Sequence, residues 1–317
     1  MTDEVFYITT DGKLMMKNTT IYLVNKDGKF ALPIEKIKVL YFLGSGSVST
    51  SVLKEFKRRN IPIHFFDRNS NYVGSFYPKE SLVSGEVIVR QVKAYLDQAK
   101  RIRLASKFTI GAFQNISWIC NRFNLGGIPE PNFNEATTIE QLMQKEGNVR
   151  KKFYELIDSK LPSDFKIERR EIMPPSNRGN AILSFLNSLA YTTVASEIYF
   201  THLHPAISFL HEPFERRYSL SLDVAEIFKP LLSERLLLRL ANLKMLDPIV
   251  DFIDKDGVFL SEIGRKKLIK EYEEELNKTI KLKNKNYTVR QLIRNELYKI
   301  EKDLLELEEY RPLKAWW

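Results

Sequence analysis

The sequence predicts an α+β chain of two domains: a small, mainly β N-terminal domain over residues 1–79 and a larger, all-helical domain over 87–317, joined by a linker at 80–86. Three observations carry this reading. Short β-rich runs separated by turn residues fill the first part and stop near Pro78. From Val87 onward apolar residues recur every three to four positions, the period of a helix. The length, 317 residues, is about twice that of an ordinary domain.

Taken in order, Val5 to Ile8, Ile21 to Val24 and Phe30 to Ile34 read as strands, with Asp11-Gly12 and Asp27-Gly28 as hairpin turns between them. Lys38 to Leu43, Ile61 to Phe66 and Tyr72 to Tyr77 read as further strands, and Val52, Leu53 and Phe56 mark one helix among them. Val87 to Cys120 reads as a long helix whose stripe is Val92, Tyr95, Leu96, Ala99, Ile102 and Ala105. Helical patterns recur at 139–157, 181–201, 222–241, 261–282 and 289–307, punctuated by Gly126-Gly127-Ile128-Pro129, Met173-Pro174-Pro175 and His204-Pro205.

Composition narrows the function classes. A hydrophobic content of 44% predicts a folded chain. The excess of Lys and Arg over Asp and Glu, 49 to 40, gives a net charge of +9, which favours polyanionic partners but is shared by many proteins that use lysine for solubility. Cys120 stands alone, so no intrachain disulfide and no cysteine-rich zinc site can form. Met-Thr-Asp-Glu-Val opens the chain without a basic and then apolar leader, and no run reaches the ~18 apolar residues of a bilayer span. The expectation is a cytoplasmic protein with no membrane association.

Asp223 and Glu226 lie three residues apart on one helix face, among Leu220, Leu222, Val224, Ile227, Leu231 and Leu232. Carboxylates in such surroundings need an ion pair or a cation. Arg216 or Arg217 would serve as the pair, the commoner arrangement. The alternative is a metal, for which His211, twelve residues upstream of Asp223, adds a nitrogen ligand suited with carboxylates to Mn²⁺ or Mg²⁺. Glu146, before Gly147, reads locally as surface charge. His202-x-His204 resembles a chelating pair, but its side chains diverge at a helix end. His64 and Cys120 read as core residues. Gly44-Ser45-Gly46-Ser47 lacks the lysine of a phosphate loop and reads as a tight turn. The basic clusters Arg150-Lys151-Lys152, Arg169-Arg170, Arg216-Arg217 and Lys281 to Lys285 could grip phosphates, though each alone reads as a solvated face.

Read together, several segments resemble the CRISPR-associated integrase family, the spacer-acquisition nucleases known as CRISPR-associated protein one, and the type I-B-like branch in particular. The resemblance runs along the whole chain. It is carried by Asn60-Ile61-Pro62-Ile63-His64-Phe65-Phe66, Tyr72-Val73-Gly74-Ser75-Phe76-Tyr77-Pro78, Glu146-Gly147-Asn148-Val149-Arg150, Asn180-Ala181-Ile182-Leu183-Ser184-Phe185 and Tyr191-Thr192-Thr193. Its most specific part is Phe209-Leu210-His211 followed by Leu220-Ser221-Leu222-Asp223-Val224-Ala225-Glu226-Ile227-Phe228-Lys229-Pro230. The resemblance implies that Glu146, His211 and Glu226 hold Mg²⁺ or Mn²⁺ and are catalytic through it, with Asp223 supporting them or handling DNA. It implies DNA contacts by Arg150, Arg178, Arg216, Arg217 and Lys229.

It also implies a homodimer paired through the β-rich domain, a small ferredoxin-fold adaptation partner, double-stranded and branched DNA as substrates, and insertion of short spacers into a CRISPR repeat by 3′-hydroxyl attack. Many family members have Asp where this chain has Glu226, and glycine is frequent near Ser208. Two other classes remain open on the residues alone: an architectural DNA-binding protein whose acids only stabilise the fold, and a metal-dependent phosphodiesterase acting on small nucleotides.

Overall fold

The computed structural model describes residues 4–78, 82, 84–213, 218–282 and 284–317. It divides into two compact units, Met1–Ser81 with Leu260–Lys266, and Leu82–Phe259 with Lys267–Trp317. The first is rich in strands and the second in helices, the α+β division expected from the change of period near Pro78.

In the first unit β1 (Glu4–Ile8), β5 (Ile37–Phe42), β7 (Ile63–Phe66) and β8 (Tyr72–Phe76) form one sheet in the order β1-β5-β7-β8. β1, β5 and β7 run parallel, and β8 returns antiparallel. The near-continuous burial of β5 is the pattern of a parallel strand covered on both faces. A second sheet has the order β4-β3-β2-β6, from β4 (Gly28–Ala31), β3 (Thr20–Asn25), β2 (Gly12–Lys17) and β6 (Gly46–Val48). Leu14, Ile21, Leu40, Phe42 and Ile63 share one core with Val52 and Phe56 of α1 (Thr50–Arg58).

Asp27-Gly28 makes the expected hairpin, with Gly28 at φ 138°, a conformation only glycine adopts readily. Asp11-Gly12 does not. β1 and β2 belong to different sheets; the Asp11 carboxylate instead accepts from the Ser45 amide, and Gly12 pairs with Gly46.

The second unit holds α2 (Gly85–Leu96), α3 (Gln98–Arg122), α4 (Ile139–Lys160), α5 (Arg178–Tyr199), α6 (Ser219–Lys229), a π-helical turn at Pro230–Glu234, α7 (Arg235–Asn242), α8 (Glu262–Asn277), of which Glu262–Lys266 fall in the first unit, and α9 (Val289–Leu304). Two two-stranded sheets, β9 (Phe252–Lys255) with β10 (Gly257–Leu260) and β11 (Thr279–Leu282) with β12 (Lys285–Thr288), occur among the helices. The helix expected over 261–282 therefore ends at Asn277 and continues as a hairpin. α2 starts at Gly85, within the stretch read as linker, after Ser84, whose hydroxyl accepts from the Val87 amide; Glu80, Ser81 and Val83 of that stretch lie outside the described residues.

The single helix expected over 87–120 is two. Asp97 leaves helical geometry and caps α3 by accepting from the Lys100 amide. The stripe shifts as a result. Val92 and Leu96 are exposed, the latter at 74%, while Leu104, Ala105, Phe108, Ala112 and Ile116 are buried. α3 packs against α4, α6 and the π turn, which makes it the spine on which the site elements rest. Among the described residues no helix is long and apolar enough to cross a membrane.

Candidate metal centre

Three elements of the helical unit bring acids and bases together: α4, α6 with its π extension, and the loop leading into α6. On α4, Glu146, Arg150 and Tyr154 follow one another at intervals of four, so they share a face. On α6, every residue from Ser219 to Lys229 is buried. Its acids therefore lie in a low-dielectric interior that demands partners.

Asp223, fully buried, holds the loop. Its Oδ2 accepts from the amides of Phe209 (2.6 Å) and Leu210 (3.0 Å), and its Oδ1 from the amide and Nδ1 of His211 (2.9 and 2.8 Å). Ser208 adds a hydroxyl bond to the His211 carbonyl at 2.6 Å. A carboxylate can only accept, so a neutral His211 donates from Nδ1 and carries its lone pair on Nε2. Burial by itself lowers the His211 pKa, but the hydrogen bond and charge of Asp223, together with the charge of Glu226, raise it above the ordinary value.

Glu226 has another set of partners. Lys229 Nζ donates to both its oxygens, at 2.7 and 2.9 Å, and Arg150 Nη2 donates to Oε2 at 2.5 Å. Burial alone would raise its pKa, yet these two cations hold it at about 2. Arg150 also reaches Glu146 Oε1 through Nε at 2.8 Å and Glu234 Oε1 through Nη1 at 3.1 Å. Pro230 has no amide hydrogen to give the Glu226 carbonyl four residues back, and Arg150 Nη2 supplies the missing donor at 3.2 Å. The neighbouring carbonyl, of Ile227, is taken by buried Asn115 Nδ2 at 2.8 Å. The π turn that follows is a local departure of the sort often found at functional sites.

The structure thus joins Glu146 and Glu226 through one guanidinium and joins His211 to Asp223, with His211 and Glu226 close enough for each charge to act on the other. Among the described residues no three of His, Cys, Asp and Glu stand together as a ready cage. The donor set nevertheless fits a hard divalent cation. Among the described residues four carboxylates (Glu146, Asp223, Glu226, Glu234) meet two cations (Arg150, Lys229) and the His211 imidazole. Glu234 is fully buried, and its Oε2 has no hydrogen-bond partner among the described residues. Two carboxylates and one imidazole Nε2 are ligands of the type taken by Mg²⁺ or Mn²⁺.

Of the residues expected to meet DNA, Arg150 and Lys229 are buried and engaged by these carboxylates. Arg178 opens α5 and donates to the Pro248 carbonyl at 2.9 Å, with its guanidinium over the Phe252 ring. Arg216 and Arg217 lie outside the described residues, as does Lys283 of the Lys281 to Lys285 cluster. Among the described residues the partners of Glu226 are Lys229, one turn on, and Arg150, 76 positions away. His202 Nδ1 contacts Glu301 at 2.7 Å and His204 Nδ1 accepts from the Ala206 amide, so the two rings do not form a pair. Sequence reasoning passed over Glu234, Tyr154 and Asn115. A signal existed only for Glu234, in a proline four positions before it within an apolar helical run.

Comparison with known proteins places the chain in a family. The family profile described as "CRISPR associated protein Cas1" matches residues 6–274. The CRISPR-associated endonuclease Cas1 of Methanocaldococcus jannaschii is 42% identical over 315 residues, covering 98% of each chain. A Cas1 protein from Thermotoga maritima superposes with a TM-score of 0.89 at 35% identity, over 98% of this chain and 100% of that one. A casposase bound to integration product shares the fold, with a TM-score of 0.87 at 16% identity over 98% of this chain and 92% of that one. The chain belongs to the CRISPR-associated Cas1 family.

Proposed function

We propose that this chain is a divalent-metal-dependent DNA endonuclease and integrase that inserts short fragments into a CRISPR repeat array. The observation that carries the reading is the pairing of a buried, fully engaged Asp223, which fixes the His211 ring through Nδ1, with a neighbouring cluster rich in carboxylates. Its relative in Methanocaldococcus jannaschii is a CRISPR-associated endonuclease.

Glu146, His211 through Nε2, and Glu226 would hold Mg²⁺ or Mn²⁺. When bound, the ion supplies Lewis-acid polarisation of a phosphate and lowers the pKa of the attacking hydroxyl. The chain's own residues do the rest. Asp223 keeps the imidazole in one tautomer and one orientation. Lys229 and Arg150 set positive charge beside the acids, where the extra negative charge of a five-coordinate phosphorus would develop. In strand transfer the spacer's 3′-hydroxyl gives up its proton and its oxygen forms a bond to a repeat phosphorus, while the repeat's own 3′-oxygen leaves with the electron pair of the broken P–O bond and takes up a proton in exchange. Water in place of the 3′-hydroxyl gives cleavage, and the reverse reaction opens branched DNA.

In this reading the protein works in the cytoplasm as a homodimer with a small ferredoxin-fold adaptation partner, and phosphate contacts make its DNA binding fall steeply with salt. The test incubates the chain, alone and with that partner, with 3′-hydroxyl duplexes and a repeat-bearing plasmid. Joined product that requires Mn²⁺ or Mg²⁺ and vanishes in His211→Ala supports the proposal. Product that persists in that variant, or in the presence of excess chelator, refutes it. DNA binding with no joining or cleavage under any metal returns the architectural reading.

A further inference from the structure

The Arg150 guanidinium occupies an unusual position. It is 7% exposed and bridges Glu146 and Glu226, the two carboxylates that the reading above assigns to the metal, at 2.8 and 2.5 Å. Mg²⁺ bound by those oxygens would sit at about 2.0–2.1 Å from them. It would then lie beside a fixed like charge, which in a buried cluster is strongly unfavourable. Arg150 cannot simply withdraw without partners, because an uncompensated buried guanidinium is itself costly.

Glu234 offers the alternative. It is fully buried, Arg150 Nη1 already contacts its Oε1 at 3.1 Å, and its Oε2 is a buried acceptor with no hydrogen-bond partner among the described residues. Tyr154, on the α4 face that carries Arg150, donates to Oε1 at 3.2 Å and steadies the side chain. Arginine and carboxylate pair best through two parallel hydrogen bonds, and this pair makes one. The π turn at Pro230–Glu234 inserts a residue into the helical path and so rotates Glu234 by about 100° from the phase an uninterrupted α-helix would give it.

We propose that Glu234 is a positioning residue for the metal site: it receives the Arg150 guanidinium, through both of its oxygens, when a divalent cation takes the carboxylates of Glu146 and Glu226. Glu234 then acts on metal binding only through Arg150. The inference rests on the assignment of Glu146 and Glu226 as ligands, and the experiment separates the two claims.

Mn²⁺ alone is titrated into the full-length wild-type chain, Glu234→Gln, Arg150→Gln and the double variant, with binding read by calorimetry or by loss of the free Mn²⁺ paramagnetic signal, and with His211→Ala as the site control. Glu234→Gln is expected to weaken Mn²⁺ binding by about 10- to 100-fold, the usual effect of removing a group that orients a ligand. In the Arg150→Gln background the same change is expected to shift affinity by less than about twofold, because the group it serves is gone. Glu234→Asp, which keeps the charge one methylene short, is expected to fall between wild type and Glu234→Gln, and it carries the comparison if the glutamine variant does not fold.

Equal affinity in wild type and Glu234→Gln overturns the inference. So does an equal loss with and without Arg150, which would make Glu234 a ligand in its own right. A wild-type chain that takes up no Mn²⁺, or takes it up unchanged in His211→Ala, removes the metal-site assignment and this inference with it.

Discussion

Replacing Asp223 by Asn tests whether one carboxylate both builds the loop before α6 and orients its histidine. The side chain accepts four hydrogen bonds, two on each oxygen, and it is fully buried. Asparagine keeps one acceptor oxygen and turns an NH₂ group toward the other pair of donors, whichever way the amide is placed. Two bonds to a charged acceptor are lost, each worth about 1.5–3 kcal/mol, so the variant should lose about 3–6 kcal/mol. That is a large share of a typical total of about 5–15 kcal/mol. With a urea m-value of about 3 kcal/mol/M the midpoint should fall by about 1–2 M.

His211→Ala provides the contrast. It leaves the three backbone bonds to Asp223 in place and removes only the imidazole's bond, so its stability should fall by about 1–3 kcal/mol while metal-dependent activity disappears. Urea unfolding of both variants beside Mn²⁺ titration decides the matter. If Asp223→Asn unfolds at the same urea concentration as His211→Ala, the carboxylate is not what holds the loop.

Two further outcomes follow from groups outside the centre. Burial holds the His64 pKa at about 3 against an ordinary 6.5, so between those values the unfolded chain binds a proton that the folded chain refuses. Stability contributed by neutral His64 is therefore complete above pH 6.5 and is lost as pH falls, by up to about 1.4 kcal/mol per pH unit. His64→Gln, which retains a hydrogen-bonding group toward Ser75, should flatten that part of a urea-midpoint against pH plot, and an unchanged slope would refute the assignment. Asn115→Ala strands the carbonyls of Ile227 and Leu313 and the amide of Ala315, so stability should fall by about 3 kcal/mol or more and residues 311–317 should exchange their amides faster. Unchanged protection of that tail would show that Asn115 does not hold it.

The strands and turns of the first unit were legible because their signals are local. Asp27-Gly28 between β-rich runs needs no distant partner to be read, and the buried run of β5 shows in its composition alone. Asp11-Gly12 misled for the same reason, since only the pairing of Gly12 with Gly46, 34 positions on, shows that a sheet begins there rather than a hairpin. Helix periodicity failed along α2 and α3 in two ways. Asp97 both ends one helix and caps the next, so the three-to-four spacing runs on across the break. In its middle α3 is buried on most sides, including Ser106, Thr109 and Gly111, and a helix without a wet face shows no stripe. The C-terminal segment is packed: Tyr310 and Ala315 are buried, and Glu296 accepts from the Tyr310 hydroxyl and the Leu313 amide.

At the centre, the sequence marked Asp223 and Glu226 as a problem to be solved, because two carboxylates among leucines require partners. It could not say that their solutions differ. Asp223 has the shorter side chain and is filled by amide donors of the loop within fourteen residues of it, which leaves nothing for a ligand and makes it a fixed part of the frame. Glu226, one methylene longer and one turn on, meets side-chain cations among the described residues, from Lys229 and from Arg150 across on α4. Backbone amides do not leave, whereas a lysine ammonium and an arginine guanidinium can be exchanged for another cation. In the proposed reading, framework and ligand are thus divided by what each carboxylate is bonded to, and residues as ordinary in sequence as Glu146 and Glu234 are drawn to Glu226 through Arg150.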